Sequence, residues 1–590
     1  MTNNRNVVNN NLLLLSKVFK YNKPLFFLRI FISILNSVSV ILTILMPMYL
    51  LESIINGDLS QVLLVIVIFT VSYMIIMFVG IAFSAFEKVS NEKMYVNIIN
   101  EFLQKTIDLD LGYFDKTASY DKYNRAFGNC CKVIDSINMI LASLITSVLN
   151  IIFIVGLLIW MDIYMFIVIG VTIVITFLVN NKLKKIDYDY SKLFSEKNKQ
   201  LNYLYRLFYI PQLVREMKSN NLSNYIFRIK QDFNADTVSL TKSQVKSHMP
   251  FSIFLGSLNI VENSVVALYF GFSVIMGRIE VAVFFTCINA YNQLKSTIMN
   301  LASIYTQLYS NSLFASDYID FLQSKETITL NREGELLQNV HSIEFANVSF
   351  KYPNSNSMTI SNVSFKITKG DKVAIIGKNG AGKTTIIKLL LRLYDPVSGE
   401  ILINGLNIKN YNTESLRNTI QTLFQDFAIY AFSIKDNISL GRNISHEGIL
   451  EALDKVEIRN KIESLQHSLD TPITSQLYAD GIELSGGEAQ KLAISRIYAN
   501  NPKTFVMDEP TSNLDPHAEY LLYNRLLEDT NKESTIIVIS HRLTLTYKMS
   551  KIIVLEQGHV AEQGSHDELI NLKGIYHSMY SVQAIKYIDN

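Results

Sequence analysis

The sequence predicts two parts: an all-α six-helix transmembrane domain with long cytoplasmic helical extensions, followed by an α/β domain. Three observations support this fold class. Apolar stretches long enough to cross a bilayer, about 20 residues each, recur within residues 1–310 and not beyond. Residues 341–590 instead alternate short β-branched runs with helical patterns, as α/β domains do. A glycine-rich loop joins one of those runs to a helical stretch.

The composition supports a membrane domain. Of the 590 residues, 49% are hydrophobic and only one is Trp, and the mean hydropathy is +0.20. Part of the chain is therefore expected to lie in lipid. The net charge of +2, without a long basic block, gives no indication of a nucleic-acid partner. Three cysteines are too few for a disulfide framework.

Six stretches have the length and apolar character of membrane spans. No Lys or Arg occurs from Ile30 to Glu87 or from Val133 to Asn181. A competing count of four spans requires the third and fourth stretches to be soluble core helices. The six predicted spans lie near residues 25–50, 61–86, 137–161, 163–180, 250–276 and 281–308.

The basic residues predict the orientation of these spans. Lys and Arg are frequent in the N-terminal segment and in the long loops Glu87–Lys132 and Lys182–His248, whereas the short connections carry almost none. By the positive-inside rule, both termini, both long loops and the α/β domain are cytoplasmic, in a multi-pass protein of the cell membrane. The first apolar stretch is too long for a cleaved signal peptide.

Each long loop has the pattern of two helical extensions joined by a turn. Helical periodicity continues from the second span through Lys88–Leu111 and breaks at Gly112, and a second reversal is expected near Ile210-Pro211. Such extensions could carry movement between the cytoplasm and the membrane.

A polar linker, residues 311–340, separates the spans from the predicted α/β domain, residues 341–590. The predicted strands are Ser342–Phe350, Val363–Ile367, Val373–Ile376, Glu400–Ile403, Thr504–Met507, Thr535–Ser540 and Ile552–Leu555.

The glycine-rich loop matches the phosphate-binding pattern G-x-x-x-x-G-K-[ST]. It follows the apolar run Val373–Ile376 and precedes the amphipathic stretch Ile386–Arg392. Glycines let successive backbone N–H groups curl around phosphate oxygens, and the following helix N-terminus adds partial positive charge. The second part is thus an α/β P-loop nucleotide-binding domain. The predicted phosphate ligands are Gly377, Asn379, Gly380, Ala381, Gly382, Lys383, Thr384 and Thr385.

Two further segments carry chemistry. The strand Thr504–Met507 ends in Asp508 and Glu509, which suit metal-assisted phosphoryl transfer: the first can hold Mg²⁺ and the second can polarise an attacking water. Ser485-Gly486-Gly487-Glu488 is a second glycine-rich turn before a helix and could bind an anion. Taken alone, this turn is equally well explained as a plain helix cap.

From about Ser342 to Tyr580 the chain resembles the ATP-binding cassette family. Leu484–Glu488 is similar to the family-defining motif, with Glu488 where glutamine is commoner. Six spans before one cassette resemble an exporter half-transporter. Further positions match the Q-loop glutamine, the D-loop, the switch histidine and the aromatic residue that stacks on adenine; they are Gln425, Ser512 to Asp515, His541 and Tyr352.

The resemblance implies ATP and Mg²⁺ as cofactors and assigns roles in hydrolysis. Lys383 would contact the β/γ-phosphates and Thr384 the metal, which Asp508 supports. Glu509 would act as general base. Gln425 would reach the metal and the water, and His541 the γ-phosphate.

The resemblance also implies two cassettes meeting head to tail, with each nucleotide site closed by Ser485 and Gly487 of the partner's glycine-rich turn. Asp515, in the D-loop, is a further predicted residue of the nucleotide site. Since each chain has a full set of motifs, a homodimer is favoured and a heterodimer stays open. Closure and opening would drive alternating access. The segments 112–123 and 212–219 would pass this motion to the spans.

The expected function is ATP-driven export across the cytoplasmic membrane. Phe424–Tyr430 and Asp480–Lys491 resemble segments of lantibiotic and other ribosomal peptide exporters, which favours a peptide cargo. Multidrug or lipid export is the alternative. A siderophore importer of exporter fold and a cassette ATPase without transport are less favoured.

Glu262 is a candidate cargo contact in the fifth predicted span, with Asn259 and Asn263 on the adjacent helical face. A charge at bilayer depth costs roughly 2.5–3.5 kcal/mol on insertion scales. It is therefore expected to face a cavity or another helix. The alternatives are a structural interhelical hydrogen bond and protonation in place.

Overall fold

The computed structural model describes residues 2–588 apart from 162–164, 325–330, 476, 511–515, 530–532, 541–542 and 544–545. It divides into two compact units. The first comprises Met1–Leu103 and Tyr123–Gln323, and the second comprises Gln104–Lys122 and Ser324–Asn590. A piece of the first predicted cytoplasmic loop, residues 104–122, therefore groups with the α/β domain.

The first part of the chain is helical throughout its described residues. Its helices are α1 (Thr2–Tyr21), α2 (Lys23–Ile55), α3 (Leu59–Asp108), α4 (Leu111–Asp115), α5 (Thr117–Met161), α6 (Met165–Arg206), α7 (Pro211–Ser219), α8 (Ser223–Ile275) and α9 (Val281–Leu322).

The long helical extensions are present. Helix α3 has 50 residues and α8 has 53. At about 1.5 Å per residue, each is more than twice as long as the roughly 30 Å hydrocarbon core of a bilayer. The helices also end where the sequence predicts reversals: α3 ends at Asp108, before Gly112, and α6 ends at Arg206, before Pro211.

Four helices in the described part of the chain are long and apolar enough to cross a membrane: Lys23–Ile55, Leu59–Asp108, Ser119–Ile159 and Ser223–Ile275. The fourth predicted span, 163–180, begins outside the described residues. The sixth lies in α9, whose polar Asn289, Asn292, Gln293 and Lys295 dilute its apolar character. The count of six spans is thus not confirmed and stays a prediction.

The exposed side chains of α3 are those expected of a helix in lipid. Only 6% of its most apolar window is buried, and Leu63, Val67, Ile75 and Phe78 are exposed. An apolar surface of this length would be an aggregation hazard in water and is suited to a bilayer. On other faces of the unit, α2, α5, α8 and α9 pack around Ile44, Leu158, Phe270 and Tyr291, among others.

The second unit is built on two sheets. One is antiparallel with the order β2-β1-β4-β5, and the other has the order β10-β9-β3-β8-β7-β6, parallel except for the β9–β10 pair. The strands are β1 (Ser342–Phe350), β2 (Ile360–Thr368), β3 (Lys372–Gly377), β4 (Ser398–Ile403), β5 (Leu406–Asn407), β6 (Ile420–Leu423), β7 (Thr504–Asp508), β8 (Thr535–Ile539), β9 (Lys551–Glu556) and β10 (His559–Gly564).

The helices of this unit pack on the strands or on one another. They are α10 (Lys383–Leu390), α11 (Thr413–Thr419), α12 (Ile434–Ser439), α13 (His446–Lys455), α14 (Arg459–Glu463), α15 (Gly486–Asn500), α16 (Pro516–Asp529), α17 (His566–Leu572) and α18 (Ile575–Ile588).

The central strands of this sheet are buried on both faces. In β3, Ala374 and Ile376 belong to one apolar cluster, whereas Val373 and Ile375 belong to another. This explains why the strand reads as a continuous apolar run rather than an alternating one. Because β3, β8 and β7 are neighbours and parallel, their carboxyl ends meet at one edge of the sheet, where α/β domains bind ligands.

Candidate nucleotide site

The phosphate-binding loop leaves the carboxyl end of β3 and enters α10 at Lys383. Two glycines are required by close packing. A Cβ on Gly377 would come within 2.3 Å of the Leu555 carbonyl oxygen, and Gly382 has a φ of +98° with Ile360 Cδ1 2.6 Å from the position of a Cβ. The loop is therefore held against the sheet with its backbone exposed toward the ligand side, as anion binding requires.

Lys383 is buried and its ammonium group is fixed by the loop itself. Its Nζ donates to the carbonyl oxygens of Gly377 at 2.9 Å and of Lys378 at 3.2 Å. Burial lowers the pKa of Lys383, while the nearby carboxylates of Glu509 and Asp508 act in the opposite direction. The side chain is thus a preplaced cation beside the phosphate-binding loop.

Asp508 ends β7 and is almost completely buried. Its Oδ2 accepts a hydrogen bond from Thr384 Oγ1 at 2.6 Å. Burial raises the pKa of Asp508, and the hydrogen bond from Thr384 partly offsets this. The structure therefore brings together the hydroxyl and the carboxylate that the sequence predicts as metal ligands.

Glu509 is held in a different way. Its backbone has a φ of +48°, a region that non-glycine residues rarely adopt. Its N–H donates to the Ile539 carbonyl at 2.9 Å, and its Oε2 accepts from Gln425 Nε2 at 2.9 Å. Unusual backbone conformations of this kind cluster at functional sites. Gln425, predicted as a site residue, thus directly orients the predicted general base.

Lys383, Thr384, Gln425 and Glu509 line one cavity of about 980 Å³, and Asp508 lies buried behind Thr384. The loop Gly377–Thr385, apart from Ala381, lines it together with Tyr352, Gln425 and Glu509. Tyr352 lies at its wall, with its hydroxyl 3.1 Å from Thr385 Oγ1. Helix α18 contributes two more lining residues, Met579 and Gln583. Neither residue belongs to a sequence motif, and both lie far along the chain from the loop, so the sequence did not predict them.

The Ser485–Glu488 turn does not line this cavity in its own chain. It caps α15: Ser485 Oγ accepts from the Glu488 N–H, and Glu488 Oε2 accepts from the Ser485 N–H at 3.0 Å. Hydrogen bonding to Lys461 lowers the pKa of Glu488. Asp515 and His541, the remaining predicted site residues, lie outside the described residues.

Glu262, the candidate cargo contact, is buried in the first unit and bound on both carboxylate oxygens. Tyr291 donates to Oε1, and Lys295 pairs with Oε2. Lys295 also donates to Asn259 Oδ1 at 2.6 Å, and Asn263 Nδ2 is 3.5 Å from the same oxygen. The cluster therefore joins α8 to α9. The sequence held a signal for it: Lys295 is the only basic residue of the predicted span 281–308.

Within the second unit, α4 contacts the α/β domain. Tyr394 donates its hydroxyl to the Asp115 carboxylate, and Asn354 Nδ2 donates to the Asp115 carbonyl at 2.7 Å. A Cβ on Gly112 would lie 3.5 Å from both Pro353 Cγ and Tyr394 Cε1. This is the segment predicted to carry motion, and sequence reasoning missed its partners Asn354 and Tyr394.

Membrane-spanning helices joined to a phosphate-binding loop with paired carboxylates define a membrane transporter that hydrolyses a nucleotide. Comparison with known families specifies which one. The family "ABC transporter transmembrane region" matches residues 26–207, and the family "ABC transporter" matches residues 360–512. The chain is an ABC transporter with a transmembrane region and an ATP-binding domain, and it uses ATP hydrolysis to drive transport.

Relatives differ in how much of the chain they match. The subtilin transport ATP-binding protein SpaT of Bacillus subtilis is 27% identical over 581 residues, 95% of this chain and 92% of the relative. An ATP-binding/permease protein of Staphylococcus aureus, named for multidrug export, is 38% identical over 242 residues, 41% of each chain.

A solved structure shares the fold. A bacterial Atm1-family ABC exporter with ATP bound superposes with a TM-score of 0.77 at 21% identity, over 94% of this chain and 98% of that chain. The helical transmembrane region followed by an α/β nucleotide-binding domain is thus confirmed as an exporter-type fold.

Proposed function

We propose that this protein exports a ribosomally made peptide, of lantibiotic or bacteriocin type, across the cytoplasmic membrane. One observation carries the proposal: the similarity to the subtilin transport protein extends over 95% of this chain. It therefore includes the membrane helices, through which any cargo must pass. The similarity to the protein named for multidrug export covers only 41% of the chain.

The charge of the predicted spans supports a peptide over a hydrophobic cation. Glu262 is the only Asp or Glu within the six predicted spans. Its two carboxylate oxygens are bound by Tyr291 and by the ammonium group of Lys295. A lipophilic cation would have to displace Lys295 in order to pair with this carboxylate. The backbone of a peptide is uncharged and forms hydrogen bonds, so it could pass without displacing Lys295.

We infer that two copies of the chain form the transporter. The Ser485–Glu488 turn lies away from the cavity of its own chain, where it caps α15. In a head-to-tail dimer, this turn of one chain would close the cavity of the other. Each chain has its own loop, carboxylates and glycine-rich turn, so identical chains would give two equivalent sites.

The residues of the cavity fit Mg²⁺ as the metal. Thr384 Oγ1 and the Asp508 carboxylate are hard oxygen ligands 2.6 Å apart. Mg²⁺ is typically held by one or two such groups together with substrate phosphates. When bound, it would neutralise charge on the phosphates. Glu509, oriented by Gln425, would accept the proton of the attacking water.

Alternating access would couple this chemistry to transport. Binding of ATP would draw two cassettes together, and hydrolysis would release them. Asp115, bound by Tyr394 and Asn354, lies on α4 between the long helices α3 and α5. The positive-inside pattern supports a cytoplasmic location for this machinery and for both chain termini.

Multidrug export is a second candidate, favoured by the 38% identity to the S. aureus protein. Purified protein reconstituted in lipid vesicles can distinguish the two. ATPase activity is measured with a lanthionine-containing precursor peptide, with added phospholipid and with tetraphenylphosphonium. We expect stimulation by the peptide alone. Stimulation by the cation or the lipid, and by no peptide, would overturn the proposal.

The direction of transport is tested with the same vesicles. ATP added outside reaches only cassettes that face outward, so an exporter should accumulate labelled peptide inside. Vesicles containing the Glu509→Gln variant provide the background. Loss of preloaded peptide in place of accumulation would indicate import.

A further inference from the structure

Helix α9 has two faces of different character. Its packed face includes Ala290, Tyr291 and Leu294, which form an apolar cluster with residues of α2, α5 and α8. The opposite face is exposed and polar, and it carries no charged side chain within the predicted sixth span. We call this face the amide stripe, and its exposed residues are Asn289, Asn292, Ser296, Asn300 and Gln307.

The residues of the amide stripe follow the repeat of an α-helix. They are three, four, four and seven positions apart, which places them on one side of α9. At about 1.5 Å per residue, the stripe measures about 27 Å from Asn289 to Gln307, close to the roughly 30 Å of a bilayer's hydrocarbon core. The stripe thus extends over most of the predicted span 281–308.

The exposed face of α3 has the opposite chemistry. Leu63, Val67 and Phe78 on that face suit contact with lipid. An amide group in hydrocarbon loses its hydrogen bonds to water, and this costs free energy unless another partner replaces them. The amide stripe is therefore unsuited to lipid and is expected to face water, cargo or a second protein chain.

The only charged side chain of the predicted span lies beside the stripe and is already paired. Lys295 is partly buried and binds the Glu262 carboxylate and Asn259 Oδ1. The stripe itself presents amide and hydroxyl groups, which both donate and accept hydrogen bonds. Its surface is thus neutral and complementary to other amide groups.

We propose that the amide stripe is the surface of the transport pathway that binds the backbone of a peptide cargo. Each non-proline residue of a peptide carries one N–H donor and one C=O acceptor whatever its side chain, and Asn and Gln offer a partner for both. Because the stripe has no charge, this binding would not depend on the net charge of the cargo. The inference rests on the proposed export of a peptide and on the predicted sixth span.

Thiol labelling of the full-length protein in lipid vesicles tests which surroundings the stripe faces. Asn292→Cys is treated with a charged methanethiosulfonate, which dissolves in water and reacts with the thiolate. Phe78→Cys, on the apolar face of α3, is the matched control, and the wild type gives the background of the three native cysteines. We expect Asn292→Cys to react about tenfold faster or more, because a thiol in apolar surroundings stays protonated.

Protection from labelling tests the ligand. A lanthionine-containing precursor peptide should slow the labelling of Asn292→Cys, and the same peptide with its lysines replaced by glutamine should slow it equally. Tetraphenylphosphonium should not slow it.

Two substitutions at one position test the hydrogen bond. Asn292→Leu should raise the peptide concentration that half-maximally stimulates the ATPase about 2- to 12-fold, the effect of one hydrogen bond. Asn292→Gln keeps the amide and should stay close to the wild type. Because Asn292 is exposed, neither substitution disturbs the packed face of α9.

Three results would overturn the proposal. The first is labelling of Asn292→Cys no faster than that of Phe78→Cys, which would place the stripe against lipid or a second chain. The second is protection by the cation, or by the charged peptide alone. The third is an unchanged half-maximal concentration in Asn292→Leu.

Failure of the stripe and failure of the proposed function give different results. If the peptide stimulates the ATPase but does not protect Asn292→Cys, only the role of the stripe is rejected. If no peptide stimulates the ATPase, the proposed peptide export is rejected and this inference falls with it.

Discussion

The charged side chains of the two units have different kinds of partner. In the second unit, Lys383 and Glu509 line a cavity of about 980 Å³ whose loop backbone is suited to phosphate, and the buried Asp508 binds Thr384 of the same lining. In the first unit, both oxygens of Glu262 are bound by side chains of α9. One group of charges is arranged for a ligand, whereas the other is neutralised within the protein. Burial of a charge alone therefore does not identify a ligand-binding site. The groups that pair with the buried charge show whether it is available to a ligand.

Substitution of Glu509 is the strongest test of the claim that the charges of the second unit serve a ligand. Glu509→Gln should abolish ATP turnover, because loss of a general base typically costs about 10²–10⁴-fold in rate. It should retain ATP binding, since the phosphate-binding loop and Lys383 are unchanged. Single-turnover ATPase assays and binding of a fluorescent ATP analogue measure the two properties separately.

A matched control is available at Glu488. Glu488→Gln removes the same charge from a residue that caps α15 and lies away from the cavity of its own chain. Glutamine can also serve at this position of a capping box, so turnover should change little. Full ATPase activity in Glu509→Gln would contradict the assignment of the base.

The second prediction concerns Glu262. Glu262→Leu should destabilise the protein by about 3–5 kcal/mol, because it leaves the ammonium group of Lys295 without its carboxylate partner in a buried site. Thermal unfolding in detergent measures this loss. The double variant Glu262→Leu/Lys295→Met should recover most of it, and Asn263→Leu, at an exposed position of α8, should be nearly neutral.

One result would show that the carboxylates of the two units do not differ in this way. If Glu262→Leu kept its stability but lost stimulation of the ATPase by cargo, Glu262 would be a cargo contact. The carboxylate would then serve a ligand, as those of the nucleotide site do.

The nucleotide site could be predicted from the sequence because its signals are local. The loop Gly377–Thr385 and the pair Asp508-Glu509 each occupy a few consecutive residues, and a parallel sheet must bring their ends together. Strand β1 has the predicted bounds Ser342–Phe350. The short strand β6 (Ile420–Leu423), only half-buried at its centre, was missed.

The partners that complete each site could not be predicted in this way. Lys295 meets Glu262 only through the packing of α8 against α9, and Gln583 reaches the cavity only because β10 and α17 return the chain to the sheet. Such contacts depend on tertiary structure, and neither residue belongs to a motif. The amphipathic or apolar pattern of a helix fixes which face is buried but not which residue lies opposite.

The third prediction uses the raised pKa of Asp508. A raised carboxyl pKa means that folding favours the protonated form, so the ionised side chain costs stability above that pKa. Asp508→Asn should therefore stabilise the nucleotide-free protein at neutral pH by on the order of 1 kcal/mol, the usual size of a single-residue effect. As the pH falls through the raised pKa, wild-type Asp508 becomes neutral and the difference should shrink.

Unfolding curves at a series of pH values, each without nucleotide, measure this difference. The same variant should lose Mg²⁺-dependent turnover, because an amide is a weaker metal ligand. If the stability difference between Asp508→Asn and the wild type grew as the pH fell, the prediction would be wrong. The fold would then stabilise Asp508 in its charged form.

The smallest expected effect lies at Tyr394. Tyr394→Phe removes one hydroxyl, and with it the hydrogen bond to Asp115, at a cost of about 0.5–1.5 kcal/mol. The ring remains packed against Phe350 and Tyr352, at centroid distances of 5.4 and 5.3 Å, so the nucleotide site should keep its shape. Basal ATPase activity should therefore persist, while its stimulation by cargo should fall.

Asn354→Ala tests whether this contact acts through α4. Asn354 binds the Asp115 carbonyl from a different position, so its loss should also reduce stimulation without lowering basal activity. The two single substitutions share one partner residue, so their combined effect should depart from the sum of the separate effects. If the effects of the two substitutions add in the double variant, and basal activity falls as well, then Tyr394 stabilises the cassette and does not transmit motion to the membrane helices. Asp115 would then resemble Glu262, a carboxylate bound by neighbouring side chains without serving a ligand.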